Sequence, residues 1–246
     1  MKKARIDNLL IELNFADSLP KAQALIMSGV VLANEKRVEK SSESFAEDVK
    51  IRIKGNSTEN KYVGRGGIKL EKALTEFRIR PNGYVCLDVG SSTGGFTDCL
   101  LTNGAKKIVA VDSGTNQLVW KLRKDERIEV RENINARYLK PNNFSDKFDL
   151  IVMDVSFISV TKILPTLVPL LKDEGKIIVL IKPQFEVNKD EVGAGGIVRE
   201  ADKHRRVVAE INSFAETIKL KSAGVIESPI LGASGNKEFL ALFEIS

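Results

Sequence analysis

Hydrophobic residues recur at helical spacing at the start of the chain, at Ile6, Leu9, Leu10 and Leu13. A second short apolar set at residues 22–26 predicts another helix, and the composition of residues 30–32 and 49–53 is typical of short strands. Residues 1–54 are therefore predicted to form two helices and a small sheet, a unit too small to bury a large core. The polar, glycine-containing segment 55–62 predicts a linker.

From residue 63 the pattern changes to short continuous apolar runs, at residues 85–89, 108–112, 150–154 and 177–181. Helical segments separate these runs, and continuous apolar strands with helices between them predict a parallel sheet covered on both faces. Residues 202–220 predict a long amphipathic helix. Residues 225–227 and 239–245 predict a closing hairpin with one antiparallel strand. The expected fold class of residues 63–246 is therefore α/β.

Composition argues against several classes of protein. No apolar run reaches the roughly 18–20 residues that cross a bilayer, and the N-terminus turns polar where a signal peptide would be apolar. Two cysteines, Cys86 and Cys99, are too few for a disulfide scaffold and predict buried thiols. We expect a cytoplasmic protein with no membrane partner and, because the chain has a single histidine, no metal site.

The net charge of +5 is unevenly distributed. Residues 61–80 hold six Lys and Arg residues against two Glu residues, a local excess of +4. Clustered basic side chains suit a phosphate backbone, because binding there releases counterions. A solvated linker is the alternative interpretation of the same charges.

Two uncommon side chains have structural interpretations. His204 lies between Lys203 and Arg205, which predicts a solvated helix face. Trp120 is predicted to belong to the core, as most large aromatic side chains do.

A glycine-rich segment follows the first apolar run, comprising Asp88, Gly90, Ser91, Ser92, Thr93, Gly94, Gly95 and Phe96. A strand, a glycine loop and a helix N-terminus in succession let a backbone approach a ligand closely. Asp112 ends the next run, about 20 residues later, where a carboxylate can accept both hydroxyls of an adenosine ribose.

Two cofactors fit this outline. A dinucleotide requires a glycine where this chain has Ser92, because a pyrophosphate must approach there. S-adenosylmethionine has no pyrophosphate, and Asp88 would supply a negative group near its amine. The pattern favours S-adenosylmethionine, and a glycine turn without a ligand remains the structural alternative.

Seven further segments carry a resemblance to a known family, at residues 5–10, 21–31, 63–70, 154–159, 182–186, 196–199 and 232–238. With these in order, nearly the whole chain resembles the TlyA-type ribosomal RNA 2′-O-methyltransferases, also labelled haemolysin A. The resemblance implies a Rossmann-like S-adenosylmethionine methyltransferase sheet of the FtsJ type at residues 63–246. It also implies a small α+β RNA-binding domain of the ribosomal protein S-four type at residues 1–54, although related modules usually carry arginine where this chain has Leu19.

The wider FtsJ type uses a Lys-Asp-Lys-Glu set around the transferred methyl group, and the resemblance implies Lys69, Asp154, Lys182 and Glu238. Asp154 and Lys182 each follow a predicted parallel strand, at the edge where open α/β sheets bind ligands. Alone, Lys69 and Glu238 would be interpreted as solvated charges. Lys182 is the candidate general base, or else it orients the ribose hydroxyl while water takes the proton.

Other candidates depend on position in the chain. Asn133 follows a possible third strand and could meet the adenine edge of the cofactor. The candidates for RNA contact are Arg5, Lys21, Arg65, Lys72, Phe157 and Phe185. The two phenylalanines follow strand ends, so they could stack on a base or belong to the core.

The expected function is S-adenosylmethionine-dependent 2′-O-methylation of a ribose, by resemblance that of a cytidine in 16S or 23S ribosomal RNA. The expected partners are ribosomal RNA and ribosomal subunits. The alternatives are a haemolytic pore-forming protein, a non-catalytic RNA-binding assembly factor, and an oxidoreductase on the same fold.

Overall fold

The computed structural model describes residues 3–13, 15–16, 18–46, 49–53, 61–232 and 234–246. The chain divides into two compact units, residues 1–61 and 62–246. Of the predicted linker, residues 55–60 lie outside the described residues. Tyr62, which we assigned to that linker, is only 3% exposed and belongs to the core of the second unit. Its ring packs against Gly67, where a Cβ atom would lie 2.3 Å from the ring.

The described residues of the first unit form two helices and two small sheets. Its elements are β1 (Lys3–Arg5), α1 (Ile6–Glu12), α2 (Leu19–Met27), β2 (Val31–Ala33), β3 (Lys36–Arg37), β4 (Ser44–Ala46) and β5 (Ile51–Ile53). Strand β1 pairs antiparallel with β4, and β2 pairs antiparallel with both β3 and β5. The predicted helices and the strands near residues 31 and 51 are confirmed. The β1–β4 pair was not predicted, because three-residue strands of mixed polarity leave no periodic signal.

The second unit is a seven-stranded sheet with helices. Its elements are α3 (Gly66–Glu76), β6 (Val85–Val89), α4 (Gly95–Thr102), β7 (Lys107–Val111), α5 (Trp120–Arg123), β8 (Ile128–Arg131), β9 (Phe148–Met153), α6 (Leu164–Leu167), β10 (Leu171–Ile181), α7 (Ala201–Thr217), β11 (Leu220–Glu227) and β12 (Phe239–Ile245). The strand order is β11-β12-β10-β9-β6-β7-β8. Strand β12 pairs antiparallel with both β10 and β11, and the other neighbouring strands of this sheet pair parallel. The predicted Rossmann-like α/β class, with one antiparallel strand, is confirmed.

Both faces of this sheet are covered, which explains the continuous apolar runs. Successive residues of one strand enter opposite layers: Leu87 packs in the layer that contains α7, and Cys86 packs in the layer that contains α3 and α4. The same alternation places Ile151 in the first layer and Leu150 in the second. The thiols of Cys86 and Cys99 are both buried, as predicted. No helix in the described part of the chain is long and apolar enough to span a membrane.

The predictions for His204 and Trp120 were wrong. His204 is buried, and its Nε2–H donates to the carbonyl oxygen of Val198 at 2.8 Å. It shares the buried face of α7 with Val207 and Ile211, so its charged sequence neighbours lie on other faces. Trp120 is 67% exposed, because the single turn of α5 buries Leu122 instead.

The order of the strands reverses beside β6, which lies between β7 and β9. In open α/β sheets this switch point forms a crevice at the carboxyl ends of the strands. Asp88 lies in β6 just below that edge and is fully buried. Its Oδ2 accepts a hydrogen bond from Thr97 Oγ1 at 2.6 Å, and its Oδ1 has no hydrogen-bond partner among the described residues. Burial raises the pKa of this carboxyl, and the charge of Asp154 raises it further. The hydrogen bond from Thr97 lowers the pKa, and the resulting value is about 7.

Substitution of Asp88 should change how stability depends on pH. The pKa of Asp88 is about 7 in the folded protein and has an ordinary value of 3.8, so folding takes up a proton between these values. The stability of the wild type therefore falls as the pH rises through this range, and the loss is complete above pH 7. Asp88→Asn carries no charge, and we expect its unfolding free energy to rise relative to the wild type by about 2 kcal/mol between about pH 5.5 and 8. Urea unfolding at both pH values measures the difference, with the exposed Asp173→Asn as control. An Asp88→Asn effect that is the same at both pH values would contradict the prediction.

Candidate active site

Two adjoining cavities open at the carboxyl edge of the sheet. The larger, of about 570 Å³, lies beside the ends of β6 and β7, and the smaller, of about 210 Å³, lies toward α3 and β10. Gly90, Ser92, Asp154 and Ser156 line both of them. The volume of the larger cavity is in the range of small-molecule sites. The residues that follow β6 and β9 therefore separate the two cavities. A cofactor could occupy one cavity and a second substrate the other.

Two glycines of the loop, Gly90 and Gly94, are required for different reasons. Gly90 has a φ of +84°, and a Cβ atom there would lie 2.3 Å from the carbonyl oxygen of Asp154. Gly94 has a φ of +103° and lines neither cavity; a Cβ atom there would meet the side chains of Leu122 and Leu118. Gly90 therefore lets two strand ends approach each other at the cavities, whereas Gly94 lets α5 pack against the loop.

Most of the predicted cofactor residues line these cavities. Asp88 is fully buried and lies outside both cavity walls. The residues that line one or both cavities are Gly90, Ser91, Ser92, Thr93, Gly95, Phe96, Asp112 and Asp154.

Asp112 is held in place by the backbone around it. Its Oδ2 accepts a hydrogen bond from the N–H of Ser92 at 2.8 Å, and its Oδ1 accepts one from the N–H of Gly114 at 2.7 Å. A carboxylate offers about four acceptor positions, so two remain. Asp112 lines the larger cavity, where those positions can receive two hydroxyl donors.

Asn133 lies outside the larger cavity. It lines a neighbouring cavity of about 310 Å³, and its Oδ1 accepts a hydrogen bond from Thr115 Oγ1 at 2.8 Å. The residues that follow it form the wall that the sequence reasoning missed: Ile134, Asn135, Ala136 and Arg137. These residues follow β8, the predicted third strand, at the same edge of the sheet. Position after this strand was the available sequence signal, but the prediction chose Asn133, one residue before the wall begins.

Lys182 and Asp154 form an accessible pair at the smaller cavity. Lys182 Nζ lies 2.5 Å from Asp154 Oδ1 and donates a hydrogen bond to Ser156 Oγ at 2.9 Å. The contact between Lys182 and Asp154 is an ion pair. Both side chains line the smaller cavity, which makes them available to a ligand. The sequence reasoning did not single out Ser156.

Lys69 and Glu238 form a second, buried pair. Lys69 Nζ donates to Glu238 Oε2, and both side chains are almost completely buried. Glu238 fits closely, because a Cβ atom on Gly232 would lie 2.3 Å from Glu238 Oε1. Neither Lys69 nor Glu238 lines either cavity. The alternative interpretation of Lys69 and Glu238 as solvated charges is therefore excluded.

The sheet register brings the two pairs together. Ile181 of β10 is paired with Phe239 of β12, so the residues just beyond them, Lys182 and Glu238, leave the sheet at the same level. A Cβ atom on Gly66 would lie 3.9 Å from Asp154 Oδ2, which places the start of α3 beside Asp154. Lys69 lies one helical turn after Gly66. The structure thus brings together all four residues of the predicted Lys-Asp-Lys-Glu set.

The predicted RNA contacts of the second unit have different surroundings. Arg65 is exposed and lines the smaller cavity. Lys72 pairs with Glu76 on the surface of α3, with Nζ 2.6 Å from Oε1. Phe157 is 90% exposed, has a φ of +66° and lines the larger cavity. Its ring centroid lies 5.0 Å from that of the half-buried Phe185. Phe157 is therefore not a core residue.

The predicted contacts of the first unit are both on its surface. Arg5 Nη2 lies 2.6 Å from Oδ2 of the buried Asp7, and this guanidinium lowers the pKa of Asp7. Lys21 is exposed on α2. In the part of the chain that the structure describes, no group of three or more His, Cys, Asp or Glu side chains could hold a metal ion.

Comparisons with known proteins agree with this geometry. A model of the FtsJ-like methyltransferase family matches residues 62–244. The chain is 46% identical over 240 residues to a candidate rRNA methyltransferase, YqxC, of Bacillus subtilis, covering 97% of this chain and 85% of that protein. It is 40% identical over 238 residues to the 16S/23S rRNA (cytidine-2′-O)-methyltransferase TlyA of Mycobacterium tuberculosis, covering 97% and 88%.

A solved structure, described as a candidate hemolysin from Streptococcus thermophilus, has the same fold. It matches with a TM-score of 0.76 at 41% identity, over 100% of this chain and 90% of that chain. The resemblance expected from the sequence is confirmed. The chain belongs to the FtsJ-like methyltransferase family.

Proposed function

We propose that the protein transfers a methyl group from S-adenosylmethionine to the 2′-hydroxyl of a cytidine ribose in ribosomal RNA. The observation that carries the proposal is the meeting of Lys69, Asp154, Lys182 and Glu238 at the carboxyl edge of the sheet. The printed name of the Mycobacterium tuberculosis relative supports the cytidine and the 16S and 23S RNAs as substrates. Such a substrate would place the enzyme in the cytoplasm with the ribosomes.

The larger cavity suits the adenosyl part of this cofactor. The two open acceptor positions of Asp112 match the two ribose hydroxyls, and Ile134 offers an apolar surface to the adenine. Ser92 has its side chain where a dinucleotide would need a glycine, and it lines both cavities. This favours S-adenosylmethionine over a dinucleotide, because a pyrophosphate would have to approach that position.

Asp88 supports the site from below. Its contact with Thr97 ties β6 to α4, on either side of the loop that would hold the cofactor. When bound, S-adenosylmethionine supplies an electrophilic methyl group on a cationic sulfur. The residues of the protein must then align the ribose hydroxyl, a weak nucleophile, with this methyl group and allow the hydroxyl proton to leave.

Lys182 is the residue we assign to the reacting hydroxyl. It is paired with Asp154 and hydrogen-bonded to Ser156, so two of its contacts fix the ammonium while one side faces the smaller cavity. From there it can donate to the ribose oxygen, orient it and stabilise negative charge as the hydroxyl proton leaves to water. The paired carboxylate makes this orienting role the better supported one, and the general-base role is the alternative.

Lys69 and Glu238 have a different task. Since they are buried and line neither cavity, we assign them to positioning. Glu238 leaves the sheet opposite Lys182, and Lys69 ties that point to α3, which begins beside Asp154. A buried pair in which each charge has its partner fixes the geometry, and the loss of one partner would leave a buried charge uncompensated.

The substrate RNA would approach over the exposed residues around the cavity mouths. Phe157 offers a ring for stacking on a base, and Arg65 offers a charge for a phosphate. We infer that residues 1–61, with Arg5 and Lys21 on the surface, form a second RNA-binding module. Lys72 is a weaker candidate, because Glu76 already neutralises it.

The name hemolysin on a similar structure does not change this proposal. An accessible ion pair in a cavity wall is expected of a group-transfer site and has no evident task in a pore. A non-catalytic RNA-binding factor would likewise need no ordered Lys-Asp-Lys-Glu set.

Replacement of Lys182 tests the catalytic assignment. We expect Lys182→Ala to lower kcat by about 10²- to 10³-fold, the cost of losing one donor to developing charge, and to leave S-adenosylmethionine affinity nearly unchanged. Lys182→Arg keeps the cation and should retain more activity than alanine. Labelled-methyl transfer to isolated 30S and 50S subunits measures the rate, and calorimetry measures cofactor binding. Lys172→Ala, which removes a Lys–Asp pair at the opposite edge of the sheet, is the matched control. Equal loss in the arginine and alanine variants would favour the general-base role, and normal turnover in alanine would defeat the assignment.

Replacement of Phe157 tests base stacking. We expect Phe157→Ala to raise the KM for ribosomal RNA by about 5- to 100-fold, since base stacking contributes about 1–3 kcal/mol. Phe157→Tyr keeps a stacking ring and should behave like the wild type. Steady-state methyl transfer at saturating cofactor gives the KM. An unchanged KM in the alanine variant would exclude stacking by Phe157.

The glycine loop allows a matched comparison of two alanine substitutions. Gly90 and Gly83 both have positive φ, +84° and +77°, but only at Gly90 would a Cβ atom meet a neighbour within 4 Å. Both variants should lose about 1 kcal/mol of stability from backbone strain. Gly90→Ala should also displace the backbone of Asp154 and weaken S-adenosylmethionine binding by about tenfold or more. Thermal unfolding and calorimetry separate the two effects, and equal cofactor binding by the two variants would argue against a cofactor site at Gly90.

A further inference from the structure

Trp120 is the single tryptophan of the chain, and it is 67% exposed. It begins α5, whose one buried side chain is Leu122. The ammonium of Lys124 lies over the indole ring, 4.8 Å from the ring centroid. An exposed indole with a cation beside it has a large stacking surface that the fold of its own unit does not use.

Helix α5 is fixed to the glycine loop. The N–H of Val119 donates to the carbonyl oxygen of Thr93 at 3.2 Å, and the Leu118 and Leu122 side chains pack against Gly94. Thr93 lines the smaller cavity together with Arg65. Trp120 therefore directly follows a residue that is hydrogen-bonded to the wall of the cavity that Lys182 lines.

Charged side chains of both signs surround Trp120. Lys121 is 74% exposed and lies 3.7 Å from Asp98 Oδ1, and Asp98 Oδ2 accepts a hydrogen bond from the N–H of Val63. Arg123 is engaged by Glu132. Lys121 and Lys124 are thus the two lysines that flank the indole, and Asp98 connects this region to the start of the basic segment 61–80.

We propose that Trp120, Lys121 and Lys124, here called the tryptophan surface, bind a single-stranded part of the substrate RNA beside the nucleotide that is methylated. The indole would stack on an unpaired base, and the lysines would contact the adjacent phosphates. RNA is the partner that fits, because it presents planar bases and phosphates together and must already reach the neighbouring cavity. The inference rests on the proposed function and adds a second stacking residue to it.

The single tryptophan reports directly on this surface. Titration of the full-length protein with a short single-stranded RNA should quench its fluorescence. The bound RNA should also protect the indole from acrylamide. RNA binding measured by anisotropy of a labelled strand, with no change in tryptophan fluorescence or acrylamide access, would overturn the proposal.

Variants give the second measurement. We expect Trp120→Ala to weaken RNA binding and raise the KM for RNA by about 5- to 100-fold, with kcat and S-adenosylmethionine affinity unchanged. Trp120→Phe should restore most of the affinity. The double variant of Lys121→Ala and Lys124→Ala should reduce the slope of log affinity against log salt by about one to two. Ile245→Ala, which trims an exposed apolar side chain at the opposite edge of the sheet, is the control.

The outcomes separate this inference from the proposed function. Methyl transfer with equal RNA affinity in wild type and Trp120→Ala would defeat the tryptophan surface alone. Failure of the wild type to bind any RNA or to transfer a methyl group would defeat both. Quenching by vesicles of anionic lipid, without quenching by RNA, would assign the surface to a membrane and overturn the proposal.

Discussion

The antiparallel strand β12 is the constraint on which the site depends. Parallel strands β9 and β10 both end at the carboxyl edge of the sheet and deliver Asp154 and Lys182 there. A further parallel strand in the place of β12 would begin at the opposite edge. Because β12 runs the other way, its first residue, Phe239, pairs with Ile181, the last residue of β10. Glu238 therefore reaches the edge from the other direction, and a residue far away in sequence stands beside Lys182.

Two separate ion pairs neutralise the four charges at this edge. Lys69 and Glu238 neutralise each other in the interior, where an unpaired charge would be costly. Asp154 and Lys182 neutralise each other at the cavity, where they remain accessible. The buried pair can hold its geometry because it has no contact with either cavity, and the accessible pair can respond to a ligand because it is only partly enclosed. The Lys-Asp-Lys-Glu set thus consists of one buried ion pair and one ion pair that a ligand can reach.

The sequence predicted the sheet well because each central strand is buried on both faces and leaves a continuous apolar run. It predicted most of the glycine loop for a similar reason, since positive φ and close approach at Gly90 admit few other residues. Lys69 and Glu238 could be placed only by resemblance, because a buried ion pair between residues so far apart leaves no local pattern. His204 was misplaced because its sequence neighbours are basic, and Trp120 because large aromatic side chains are usually buried. Only tertiary packing decides which side of a short or amphipathic helix is buried.

The same distinction explains why the wall at Ile134–Arg137 was missed while Asn133 was chosen. Position after a strand predicts which edge a residue occupies, but the direction of its side chain depends on the turn that follows. Asn133 has a φ of +58°, and its Oδ1 accepts a hydrogen bond from Thr115. The turn directs Asn133 toward the neighbouring cavity and leaves the wall of the larger one to Ile134 and Asn135. A sequence pattern therefore locates the edge of a cavity to within a residue or two, and the backbone conformation at a single position decides which side chain lines that cavity.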